Sequence, residues 1–211
     1  MEVFAIREIN REIIELKEKL GQSRPAKWDD FPDIELYMDQ VLTYMERQYI
    51  DTENDILTSA MVNNYVKSGV LPRANGKKYD REHLAYLTAA SMLKQVITVS
   101  DMEILLKEKI KNTGTGIEDF YSYYCRTLDR ELSATADVFP SDVGLEILPT
   151  IALELAVSSY AQKMVCRRLI KIIAEQNTPQ ENPPDKKSDK KSVKKAEKKS
   201  DKKSEKKSEK K

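Results

Sequence analysis

The segment from Thr58 to Ile97 leaves little choice of local structure, because turn signals punctuate it at fixed places. Thr58 and Ser59 stand where a helix N-cap belongs, and their hydroxyls can accept the free amides of a first turn. Met61, Val62, Tyr65 and Val66 recur at three- and four-residue steps and form one apolar face. Ser59, Asn63 and Lys67 fall on another. Gly69 supplies a positive-φ stop, and Pro72 keeps the helix from resuming. Asn75-Gly76 predicts a type I′ hairpin turn with both residues at positive φ, between arms Val70–Arg73 and Lys77–Tyr79. Asp80 caps a further helix in which Leu84, Leu87, Ala90, Leu93 and Ile97 face one way. Upstream, Asp33 is expected to cap a helix to about Tyr49, with Ile34, Met38, Val41, Leu42 and Met45 inward.

A short polar-faced helix, a basic hairpin and a following helix make up a winged helix-turn-helix. At Thr58, Tyr65, the Gly69-Val70-Leu71-Pro72 turn and the Tyr79-to-Leu84 approach to the next helix, the chain resembles the MerR family of DNA-binding regulators. It departs from that family at Ala60, Asn63 and Asn64, where MerR proteins usually carry arginines and a Tyr-Tyr pair. The chain ahead of its tail also resembles an uncharacterised bacterial domain-of-unknown-function family with an Asn63-Asn64-Tyr65-Val66-Lys67 element. The expected fold is mostly α: a MerR-like winged helix-turn-helix with a small β-hairpin wing, flanking helices and a disordered Lys-rich tail. The expected divisions are 1–32, helix and connector; 33–99, winged helix-turn-helix; 100–177, helical region; and 178–211, tail.

This reading implies double-stranded DNA as partner and a cytoplasmic transcriptional regulator as function. Asn63, with Asn64 as its neighbour, is the candidate base reader, because an Asn amide can bond bidentately to adenine. Adjacent helical residues point about 100° apart, which favours Asn63. Ser59 at the helix start suits a phosphate, and Tyr65 is either a phosphate contact or core. Lys67, Arg73, Lys77 and Lys78 would hold the duplex without reading it. The alternative is a protein-interaction module on the same scaffold. A third reading adds an effector pocket among the C-terminal helices, but no residue set marks one or names its ligand.

Charge is divided along the chain. Subtracting the tail's 14 Lys and 7 acids from the chain's 36 basic and 35 acidic residues leaves the first 177 residues with 22 basic and 28 acidic ones. The cluster Lys67, Arg73, Lys77, Lys78 and Arg81 is thus a local excess on an acidic body, as a phosphate-docking face requires. From Asp185 the tail repeats every four residues, placing Lys beside Lys and acid beside acid at i,i+4. That pattern disfavours helix. Val193 and Ala196 are its apolar residues, too few to offset the entropy of ordering, so disorder and weak polyanion binding are expected.

Nothing in the sequence marks an enzyme, a cofactor or a metal site. His83 is the lone histidine, suited to capping, packing or a phosphate contact. Cys125 and Cys166 are too few for a zinc site and read as buried thiols. Residues 1–20 carry Ile6, Ile9, Ile13, Leu16 and Leu20 on a short coiled-coil seam ended by Gly21, to be packed on the body or on a partner's copy. Trp28 and Phe31 should anchor a connector. Ser100 with Glu103, and Thr115 with Glu118, read as capping boxes. The window Val143–Cys166 contains Glu146, Glu154 and Lys163, so it reads as a buried helix and not a membrane span. A helix from about Pro149 to Gln176, apolar nearly all round, needs cover on several sides. A homodimer through it is expected, alongside cover from its own chain.

Overall fold

The computed structural model describes residues 2–48, 56–113, 116–138, 140 and 144–177. The tail from Thr178, the polar turn at 51–55, the Ile6 side chain and the Thr115 half of one capping box lie outside the described residues. Among those described are seven α-helices and one two-stranded sheet, so the chain is mostly helical. The elements run α1 (Glu2–Gln22), a 3-10 turn (Trp28–Asp30), β1 (Leu36–Tyr37), α2 (Met38–Glu46), α3 (Ser59–Lys67), β2 (Lys78–Tyr79) and α4 (Arg81–Leu93). They continue with α5 (Val99–Thr113), α6 (Ile117–Val138) and α7 (Leu148–Asn177).

Local chemistry fixes α3 at both ends. The Thr58 hydroxyl accepts from the Met61 amide at 3.2 Å. At the other end Gly69 has φ +80, Val70 N donates to Tyr65 O at 3.0 Å, and Gly69 N donates to Val66 O at 3.3 Å. That is a Schellman stop, with Val70 and Tyr65 both buried as its apolar pair. A Cβ at Gly69 would lie 3.0 Å from the Glu103 carboxylate, whose flexible end can swing aside. Backbone strain therefore sets the cost: Gly69→Ala should lower stability by about 1–2 kcal/mol, read from thermal unfolding.

The sheet differs from the expected hairpin. β2 pairs with β1, antiparallel, with Leu36 opposite Tyr79 and Tyr37 opposite Lys78. The arm Val70–Arg73 forms no ladder with it. Instead Asn75 and Lys78 exchange both backbone bonds, at 3.0 and 3.1 Å, so the two-residue turn is Gly76-Lys77. Gly76, at φ +67, takes its first central position, and Asn75 stands one place earlier than the dipeptide suggested.

α2 starts later than expected, at Met38, because residues 36–37 are committed to the sheet. Gln40 Oε1 accepts from Tyr37 N at 2.9 Å, and Asp33 pairs with Arg81 instead of capping. The helix stops at Glu46. α5 is capped by Thr98, whose hydroxyl accepts from Asp101 N at 3.2 Å, so Ser100 lies inside it. α1 continues through Gly21 to Gln22.

One core joins these pieces. Val41 and Met45 of α2, Val62 and Tyr65 of α3, and Leu84, Leu87 and Ala90 of α4 meet Met102 and Leu106 of α5 and Phe120 and Tyr121 of α6. α1 packs on α6 through the side that buries Ile13, leaving Leu16 exposed. α7 overturns the reading of a buried helix: it rests on α5 near its C-terminal end, and Ile170 is its one buried residue. Cys125 and Cys166 are half-buried free thiols. Among the described residues no helix is long and apolar enough to cross a membrane.

Candidate nucleic-acid interface

The spacing that made α3 amphipathic puts Val62 and Tyr65 into the core, packs Met61 and Val66 against it, and turns the polar residues outward. Ser59, Asn63, Asn64 and Lys67 are all exposed, so four of the eight candidate residues share the open side of one helix. Tyr65 is buried and serves as core. Arg73 and Lys77 are exposed on the loop that follows. Among the described residues no ion pair engages Lys67, Arg73 or Lys77. Lys78 is half-buried: its Nζ lies 3.5 Å from Glu35 Oε2 and 5.8 Å from the centre of the Tyr37 ring.

The loop bearing Arg73 and Lys77 is clipped to α4 by His83. This ring is buried, with Nδ1 2.6 Å from Asp80 Oδ1 and Nε2 3.2 Å from the Arg73 carbonyl oxygen. Tyr79 meets it edge-on, with centroids 5.3 Å apart. Nδ1 also accepts from the Asp80 amide at 3.3 Å, so the ring closes a reciprocal cap with Asp80 on one edge and meets the loop carbonyl on the other. Asp80 in turn accepts from His83 N at 3.2 Å, capping α4. Burial pushes the Asp80 carboxyl up, but bonds from the His83 ring and amide outweigh it and hold the group below its ordinary 3.8. His83 is therefore a structural clip and offers no free edge for phosphate or acid–base work.

A concavity of about 510 Å³ lies where the connector meets α6 and is lined by Arg24, Trp28, Tyr121, Cys125 and Asp129 among others. Arg24 is committed within it, to Asp129 at 2.6 Å and to the Ser133 hydroxyl at 2.9 Å. Burial pushes the Cys125 thiol up, with Tyr121, Arg126 and Lys27 partly countering that. Trp28 anchors as expected, packing on Phe31 and Tyr121, and Arg81 lies 5.8 Å over its ring. Sequence reasoning missed this juxtaposition, because the Arg24–Asp129 pairing has no local signature. Among the described residues no group of three or more His, Cys, Asp or Glu could hold a metal.

These features define a mostly helical domain that presents a capped polar helix beside a clipped basic loop. Residues 26–124 match the model of a family described as a domain of unknown function, DUF1836. The match begins at the connector, takes in both α3 and the His83 clip, and ends within α6. No curated protein and no solved structure matches the chain significantly.

Proposed function

We propose that this protein binds double-stranded DNA in the cytoplasm and regulates transcription, with α2 to α4 acting as a winged helix-turn-helix similar to that of MerR. The observation that carries this reading is the exposed row Ser59, Asn63, Asn64 and Lys67 on a helix fixed at both ends, next to Arg73 and Lys77. Such a helix can enter a major groove without fraying. Asn63 reads a base edge, and Ser59 at the helix start meets a phosphate. Lys67, Arg73 and Lys77 supply the sequence-independent grip. Lys78 contributes less, because Glu35 already faces it. Asn64 flanks Asn63 and contacts the adjacent groove wall.

The test starts from fragments selected by the purified protein out of random DNA. On a selected site Asn63→Ala should cost about 1–3 kcal/mol and relax preference at one base position. Lys77→Ala should weaken every sequence evenly and flatten the salt dependence by roughly one unit of slope. If no sequence is enriched and neither variant changes binding, the exposed face of α3 is a protein-docking surface instead. Glu35 beside Lys78 makes that the second reading, since it lowers the positive charge available to a duplex.

A further inference from the structure

α7 carries apolar surface that none of the described residues covers. Every residue from Ala152 to Val165 is exposed, a run of about 21 Å at 1.5 Å per residue. Within it Leu153, Val157, Tyr160 and Met164 stand 65%, 59%, 69% and 57% open. Their 4-3-4 spacing puts them in one sector of about 60°, a coiled-coil seam of alternating d and a positions. Cys166, Ile170 and Ile173, buried or half-buried on α7, lie about 110° or more from the middle of that sector. The four seam side chains present on the order of 500 Å², within the roughly 300–600 Å² of the largest, often functional, patch on a typical monomer. With the stems beside them this approaches the roughly 800 Å² that one partner gives to a standard interface.

The seam also indicates its occupant. Its midpoint falls between Ser158 and Ser159, and so does the midpoint of the exposed run 152–165. A two-fold axis placed there sets Leu153 of one copy against Met164 of the other, and Val157 against Tyr160, in four a-to-d layers. Ala156 and Ala161 flank the seam and allow close approach. Charge selects the direction. The half 148–162 holds Glu154 as its one charge, whereas 163–177 holds Lys163, Arg167, Arg168 and Lys171 against Glu175. Parallel pairing would stack Lys163, Arg167, Arg168 and Lys171 on their own copies, while antiparallel pairing about that axis sets Lys163 against the other copy's Glu154, and Arg167 and Arg168 against its uncharged Thr150 and Pro149. We infer that a second copy of this chain docks antiparallel on α7, through Leu153, Val157, Tyr160 and Met164. This inference does not rest on DNA binding, and its test needs none.

Sedimentation of the full chain at micromolar concentration should give a dimer. Val157→Asp with Tyr160→Asp should weaken association at least 100-fold while leaving the helical circular dichroism unchanged. Gln162→Glu, off the seam, should leave the dimer intact. In a Cys125→Ser, Cys166→Ser background, chains bearing Leu153→Cys and chains bearing Met164→Cys should form disulfides when mixed and oxidised, and neither should link to itself. A wild-type monomer, a dimer indifferent to the two aspartates, or self-linkage of the Leu153→Cys chains would each overturn the assignment.

Discussion

Tyr121→Ala should lower stability by about 3–5 kcal/mol, the range for emptying a buried aromatic site. The residue is 0% exposed. Its ring centre lies 5.1 Å from that of Phe31, 5.8 Å from Tyr124 and 6.4 Å from Trp28. Its hydroxyl donates to the Ala26 carbonyl at 2.6 Å, and burial pushes its ionisation far above the ordinary tyrosine range, so it stays a neutral donor. These contacts tie α6 to the connector, nearly a hundred residues back along the chain. Tyr121→Phe keeps the ring and loses the bond to the half-buried Ala26 carbonyl, for about 1 kcal/mol. Urea unfolding of the two variants separates packing from hydrogen bonding. Equal losses would mean that the ring cluster is not what holds the connector. Ala26, Trp28, Phe31, Tyr44, Tyr121 and Tyr124 all fall inside residues 26–124, the stretch that matches a family model.

The features legible in the sequence are those whose partners lie within a few residues. Thr58 caps α3, Gly69 ends it and Asp80 caps α4, because each depends on a bond to a neighbouring turn. Pairing of Lys78–Tyr79 with Leu36–Tyr37 crosses about forty residues and was not legible, since a two-residue strand has no period to read. That pairing also displaced the start of α2 from Asp33 to Met38. The Asn-Gly dipeptide marked the right turn in the wrong register, because Gly76 can begin a tight turn as well as end one. For α7 the apolar pattern showed that cover is needed but not where the cover is missing. Only the packing separates Ile170, which is covered, from Tyr160, which is not. In the candidate interface, spacing put Ser59, Asn63 and Lys67 on one side of α3, and they are exposed. Tyr65, on the opposite face with Val62, belongs to the core. The capping read for the lone His83 has a local cause too, since an Asp80-x-x-His83 spacing is that of a reciprocal cap.

His83→Ala should cost about 2–4 kcal/mol, from the cavity under Tyr79 and from two lost hydrogen bonds, one of them charge-assisted. The loss has a location as well as a size. The Arg73 carbonyl is freed from α4, so the loop carrying Arg73 and Lys77 is no longer held at a fixed distance from α3. If α3 and that loop share a duplex, the variant should lose DNA affinity on all sequences even where it remains folded, because the phosphate grip must be ordered anew on binding. Asp80 gives the same clip a pH dependence. Its carboxyl titrates lower in the folded chain than in the unfolded one, so its contribution is present above 3.8 and is lost as pH falls through the lower folded value. Asp80→Asn still caps α4 but lacks that charge. Urea midpoints of the native chain and this variant should therefore differ at pH 6, begin to converge below about pH 3.8, and meet once pH is below the folded value. A gap that widened on acidification would show that the carboxylate is not what the His83 ring holds.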